Sequence, residues 1–152
     1  MAPAKSASLP PRSSSARPLS PHLQVYKPLI NMVMSIIHRL TGIALYLGTF
    51  LLAWWLIALA SGPGYFNFVN GLFGSIVGRI VLFGYTWAII HHMLGGLRHF
   101  IWDSGKGLDL ATVNLLSWAT IIGSVVITLA IWGLGLGSHA FGVADLFGGL
   151  GK

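Results

Sequence analysis

The sequence predicts an all-α integral membrane protein with three transmembrane helices. Three long apolar stretches carry this prediction, at about residues 30–60, 76–102 and 110–136. Each is longer than the roughly 20 residues that a helix needs to cross a bilayer core. Only 8% of the residues are charged and 55% are hydrophobic, whereas a soluble domain carries about 25% charged residues. Inside a bilayer such stretches must be helices, because only helices and closed barrels satisfy every backbone polar group.

The sequence predicts irregular structure for the remaining segments. Residues 1–29 are rich in Pro, Ser and Ala and contain no acid, which predicts a flexible, amphipathic N-terminal segment on the inner side. The connector "SGPGYFNFVNG", residues 61–71, predicts a loop whose aromatic residues suit the membrane interface. "DSGKGLD", residues 103–109, predicts a tight charged loop, and residues 137–152 form a glycine-rich tail.

The basic residues predict the orientation of the three helices. Connecting segments on the inner side of a membrane carry an excess of Lys and Arg. The connector between the first two helices has neither, and the C-terminal tail has only Lys152. We therefore expect the N-terminus inside and the C-terminus outside, because five basic residues lie on the other side: Lys5, Arg12, Arg17, Lys27 and Lys106.

The composition also excludes several kinds of site. The chain has no cysteine, so it holds no disulfide, no thiolate zinc site and no iron–sulfur cluster ligated by Cys. Its net charge of +6 could suit nucleic acid, but the basic residues are spread thinly around apolar runs, which favours membrane topology. Any metal bound by this chain would need its histidines.

Ionisable residues inside the predicted spans are the first candidates for function, because a charged group in a bilayer is costly. His38 and Arg39 enter from the inner end of the first helix. Arg98 and His99 lie near the inner end of the second helix, which runs the opposite way. The four side chains therefore lie at a similar depth, and we expect them to line one pocket near the inner surface.

The second helix carries two histidines near the middle of the membrane. His92 shares one helical stripe with three residues: Gly96, His99 and Asp103. His91 has a stripe of its own, with Gly95, Arg98 and Trp102. A histidine at this depth beside bare glycine backbone suits a haem ligand, although a buried His is often only a hydrogen-bonded structural residue and paired glycines often only pack helices. Spacing alone does not choose between His91 and His92.

Two motifs resemble a known family. The segments are "RPLSPHLQVYKPLINMVMSIIHRLTG", residues 17–42, and "HMLGGLRHFIWDSG", residues 92–105. Together they resemble the cytochrome b subunit of succinate dehydrogenase, the membrane anchor of respiratory complex II. The resemblance covers about three quarters of the chain, including three spans in matching order.

The resemblance implies a role for each matching residue. His92 takes the place of the axial ligand of haem b. The ubiquinone site corresponds to Ser35, Ile36 and Arg39. The haem propionates or the polar rim of the pocket correspond to four residues: His38, Arg39, Arg98 and His99. Neither His91 nor Asp103 receives a role.

The resemblance also implies an assembly. A flavoprotein subunit with FAD would oxidise succinate, and an iron–sulfur subunit would carry the electrons to ubiquinone at this anchor. A second membrane anchor subunit would supply the other haem ligand and complete a helix bundle. Membrane lipid is the remaining partner, with no nucleic acid.

Two alternatives remain at this point. The chain could anchor a fumarate reductase, or it could be a proton-relay or transport subunit without haem, in which the His, Arg and Asp residues pass protons. The proline-rich N-terminus opposes the amphipathic helix of a transit peptide. We therefore expect the inner membrane of a bacterium, with the mitochondrial inner membrane as the alternative.

Overall fold

The computed structural model describes residues 26–137, with side chains to Gly135. This part of the chain forms four helices: α1 (Ile30–Ala60), α2 (Pro63–Gly74), α3 (Ile76–Asp103) and α4 (Leu110–Gly137). The expectations for the N-terminal segment before Tyr26 and for the C-terminal tail after Gly137 lie outside the described residues.

The expectation of an all-helical protein with three candidate spans is confirmed. α1, α3 and residues Leu110–Gly135 of α4 are long and apolar enough to cross a membrane. Within their most apolar windows the chain itself buries only 11%, 22% and 22% of the residues, respectively. Most side chains of the three spans therefore face lipid or another protein rather than a core of this chain.

The prediction of a loop between the first two spans is wrong, because residues Pro63–Gly74 form the helix α2. Gly62 turns the chain with a positive φ of 108°, and Pro63 stands in the first turn, where a missing N–H costs nothing. Phe66 and Val69 are buried. Packing of these apolar residues outweighs the turn preference of the Gly, Pro and Asn residues.

α3 is the central helix and packs against α1, α2 and α4. It meets α1 closely at Gly48, where a Cβ atom would overlap the ring of Tyr85. Towards α4 it makes interhelical hydrogen bonds at three levels: Arg98 to Ser117, His91 to Ser124 and Trp132 to Thr86. The polar side chains of α3 are thereby divided between two neighbouring helices.

A six-residue connector leads from α3 to α4. Gly105 and Gly107 turn the chain with positive φ values of 73° and 67°, a region that glycine adopts freely. Asp109 precedes α4, and the backbone N–H of Thr112 donates to its Oδ2 at 2.9 Å. This hydrogen bond holds the pKa of the Asp109 carboxyl below its ordinary value and satisfies a free N–H of the first turn.

Candidate functional site

Three histidines meet where α1 and α3 pack together. The rings of His38 and His92 stack with centroids 4.0 Å apart and planes inclined by 6°. The ring of His99 lies 5.5 Å from that of His38, tilted by 49°. We call His38, His92 and His99 the histidine cluster.

The hydrogen bonds of His92 fix which of its ring nitrogens carries the proton. Nδ1 lies 3.1 Å from the backbone oxygen of His38 and 3.2 Å from Oγ1 of Thr41. Thr41 already donates its own proton to the His38 oxygen, at 2.9 Å. Both neighbours of Nδ1 therefore act as acceptors, so the proton of neutral His92 sits on Nδ1 and the lone pair is on Nε2.

Nε2 of His92 is free to bind a ligand. It makes no hydrogen bond to any residue that the structure describes, and it is not among the buried, unpaired atoms of this region. Gly42 lies beside the ring on α1, where a Cβ would come within 3.1 Å of His92 Cε1. His92 is thus held through Nδ1, and its Nε2 is open to a ligand.

The two adjacent glycines of α3 have different surroundings. A Cβ at Gly95 would lie 2.5 Å from His38 Nδ1, so bare backbone at Gly95 lets the His38 ring approach. A Cβ at Gly96 would meet nothing within 4 Å. Gly96 follows His92 by one turn, so the open nitrogen and the open backbone lie on one side of α3.

These surroundings fit a haem. A neutral imidazole with Nδ1–H bonded to a carbonyl and Nε2 unprotonated is the state in which histidine binds a metal. The open backbone at Gly96 leaves room on the same side of α3 for a flat, bulky group.

Arg98 points towards α4, about 120° around α3 from His92. It is only 4% exposed, and Nη1 donates to Ser117 Oγ at 3.0 Å. Ser117 in turn contacts Asn31 Oδ1 at 2.9 Å, and the guanidinium carbon lies 5.1 Å from the centre of the Trp102 ring. Arg98 thus joins α1, α3 and α4, and among the described residues it makes no hydrogen bond to the histidine cluster.

His91 also points into the bundle. It is 1% exposed, with Nδ1 3.1 Å from Ser124 Oγ and its ring 5.1 Å from that of Trp87. Sequence reasoning did not identify the α4 partners of His91 and Arg98. The signal for them is a buried hydroxyl stripe at helical spacing: Ser117, Thr120, Ser124 and Thr128.

The residues expected to bind ubiquinone lie near the start of α1. Ser35 and Ile36 line an open groove of about 430 Å³, and its other lining residues are Tyr26, Pro28, Asn31 and Met32. Arg39 is exposed and lies one turn further along the same side of α1. Asp103 is exposed at the end of α3.

Comparison with known proteins identifies the family. Residues 13–131 match the family described as succinate dehydrogenase/fumarate reductase transmembrane subunit. The chain belongs to this family. Both sequence motifs lie within the matched residues, and the resemblance inferred from them is confirmed.

Individual relatives agree with the assignment. The succinate dehydrogenase cytochrome b556 subunit of Paracoccus denitrificans is 44% identical over 113 residues, which cover 74% of this chain and 87% of the relative. That of Rickettsia felis is 37% identical over 116 residues, covering 76% and 90%. The mitochondrial cytochrome b560 subunit of Mus musculus is 37% identical, covering 75% of this chain and 69% of the relative.

Proposed function

We propose that the chain is the haem b- and ubiquinone-binding membrane anchor of a succinate dehydrogenase. In this role it passes electrons from a flavoprotein subunit and an iron–sulfur subunit to ubiquinone. The observation that carries the proposal is the state of His92, whose Nδ1–H is bound to the His38 carbonyl and to Thr41 while Nε2 is open.

In the proposed haem site His92 would hold the iron through Nε2. The His38 carbonyl and the Thr41 hydroxyl hold the imidazole in one tautomer and one orientation. The haem supplies a centre that accepts and donates one electron at a time. A second membrane anchor subunit would provide the other iron ligand.

Polar side chains in and beside the histidine cluster offer partners for the haem propionates. His38, His99 and Arg39 provide donors on the open side of α1 and α3. Arg98 has one nitrogen committed to Ser117, so its charge acts on the site from inside the bundle, where a low dielectric strengthens it.

The groove at Ser35 and Ile36 is the proposed entry of ubiquinone into its site. Ser35 offers a hydroxyl for a quinone carbonyl, and Ile36, which is 58% exposed, offers apolar contact to the ring. Arg39 provides a positive charge that favours negative charge developing on the quinone as it is reduced.

The predicted orientation, with the N-terminus inside, would bring this groove beside the soluble subunits. With the N-terminus inside, the start of α1 faces the side on which the flavoprotein and the iron–sulfur subunit dock. The relatives named from Paracoccus and Rickettsia are bacterial, which supports the bacterial inner membrane as the location.

The quinone role is tested by comparing two electron acceptors. In the purified complex, Arg39→Ala should lower succinate-driven reduction of ubiquinone at least about tenfold, a typical effect of removing a charge that stabilises a reacting group. Reduction of a water-soluble dye that takes electrons from the soluble subunits should not change. Arg79 is an exposed cation near the start of α3, on the predicted outer side of the membrane. Arg79→Ala therefore serves as the matched control.

Two results would contradict the quinone role. One is equal quinone reduction in Arg39→Ala and Arg79→Ala. The other is an equal loss with both acceptors in Arg39→Ala, which would show damage to the soluble subunits or their docking instead of the quinone site.

A further inference from the structure

α2 has three distinct sides around its axis. Phe66, Val69 and Phe73 cover an arc of about 60° that faces the protein, with Phe66 and Val69 buried. A second arc of about 60° carries Tyr65, Phe68 and Leu72, which are 44%, 59% and 44% exposed. The rest of the surface is formed by Pro63 and by small or amide residues: Gly64, Asn67, Asn70, Gly71 and Gly74.

The contacts of Trp54 show that α2 runs across the end of α1. Trp54 Nε1 donates to the Tyr65 hydroxyl at 2.9 Å, and its ring lies 5.9 Å from that of Phe73. Tyr65 and Phe73 are separated by about 12 Å along α2. Tyr85 of α3 packs against Gly48 of α1, so the start of α3, nine residues before Tyr85, lies level with about residue 57 of α1. Both ends of α2 therefore lie near the last turn of α1, and Trp54 contacts two residues of a helix that runs across it.

The depth of α2 follows from its position on α1. Trp54 lies nine residues beyond the middle of α1, which is about 14 Å along the helix axis. Half of a bilayer's hydrocarbon core is about 15 Å. With α1 centred in the membrane, α2 therefore crosses at the boundary between acyl chains and headgroups, where Trp and Tyr are enriched.

The connection to α3 holds α2 at this level. Gly78 packs against the last turn of α2, and a Cβ there would overlap the backbone oxygen of Leu72. The adjoining surface of α3 is apolar and open, with Ile76 80% and Val77 71% exposed. The last turn of α2 thus adjoins the exposed apolar start of α3, which is a candidate membrane span.

We propose that α2 is an interfacial helix, lying in the plane of the membrane at the end of α1. Tyr65, Phe68 and Leu72 face the acyl chains of the lipid, and Asn67 and Asn70 face water. None of the residues Pro63–Gly74 is charged, so apolar burial holds the helix in the leaflet without selecting anionic headgroups.

The absence of cysteine from the chain allows each side of α2 to be probed with one introduced thiol. Phe68→Cys and Asn67→Cys both change exposed residues, so neither removes a packed side chain. In membrane fragments open to both aqueous phases, a maleimide carrying polyethylene glycol should shift the mass of Asn67→Cys. Phe68→Cys should react about tenfold more slowly, because a thiol among acyl chains stays protonated. Equal rates would overturn the proposal.

A second experiment distinguishes lipid from protein as the covering partner. Phe68 is replaced by the photoreactive aromatic p-benzoylphenylalanine in the full complex, in membranes of phosphatidylcholine and phosphatidylethanolamine. After illumination the mass of this chain should increase by that of one phospholipid, whereas the same replacement of Asn67 should give no lipid adduct. A crosslink from position 68 to another subunit, or no adduct at all, would overturn the proposal.

Discussion

At the scale of single residues, the neighbouring histidines of α3 show how two identical side chains one residue apart come to face different helices. His91 and His92 differ by about 100° around the axis. His91 is buried against Ser124 of α4, whereas His92 is held through Nδ1 by α1 and leaves Nε2 open. Their chemistry is set by which helix each side chain meets.

At the proposed haem site, Thr41 should affect haem affinity through its hydrogen bond with His92 Nδ1. We expect Thr41→Val to lower haem affinity about tenfold, as loss of an outer hydrogen bond to a metal ligand typically does. The haem midpoint potential should shift in the same variant. Thr41→Ser keeps the hydroxyl and should restore both values in haem titration and redox potentiometry. Unchanged haem affinity in Thr41→Val, or an equal loss in the Ser and Val variants, would contradict the role given to this hydrogen bond.

Gly95 should be intolerant of a side chain because of the approach of His38. We expect Gly95→Ala to displace the His38 ring and lower the haem content of the purified complex at least about twofold, since a buried overlap must be relieved by movement. Gly84→Ala adds the same methyl group to α3 in open space and is the control. Unchanged haem content in Gly95→Ala would contradict the packing described for His38.

At the scale of helices, α3 and α4 are joined by paired polar groups instead of a purely apolar seam. Arg98 and His91 are seven residues apart, as are their partners Ser117 and Ser124. Inside a bilayer the hydrophobic effect does not hold helices together, so side-chain packing and interhelical hydrogen bonds must do so. Because the Arg98 guanidinium is buried, loss of its hydrogen bond to Ser117 should destabilise the bundle more than loss of the other bonds between α3 and α4.

Removal of the Ser117 hydroxyl should destabilise the bundle. We expect Ser117→Ala to cost about 1 kcal/mol, because it leaves a buried donor of Arg98 without its partner. Thr120→Val removes a hydroxyl that bonds only the backbone of its own helix and should change stability little. Thermal unfolding of the detergent-solubilised complex measures both, and equal melting temperatures for the two variants would contradict this account of the seam.

Sequence patterns predicted some parts of this structure better than others. The spans follow from hydropathy and length, because lipid enforces helices wherever apolar runs are long enough. α2 was missed because Gly62, Pro63 and Asn67 signal turns locally, while the helix depends on packing against α1. The different surroundings of Gly95 and Gly96 depend on where His38 lies on another helix, which residue spacing on α3 does not contain.

At the scale of the whole molecule, the chain leaves most of the surface of its candidate spans for lipid or partner proteins to cover. Its three candidate spans bury only a minority of their residues within the chain, and the proposed haem ligand His92 lies at the edge of the bundle. When the chain is produced without a second anchor subunit, we expect a haem content below about one tenth of that of the complex, because one axial ligand is then absent. A full haem complement in the chain alone would contradict a shared site.

Optical spectra of two histidine variants show whether His92 is the axial haem ligand. Reduced-minus-oxidised optical spectra are recorded for the purified complex with the native chain, with His92→Ala and with His91→Gln. We expect a b-type haem signal in the native complex that is lost or strongly altered in His92→Ala and retained in His91→Gln. A signal unchanged by His92→Ala, or the complete absence of haem from the native complex, would contradict this role of His92.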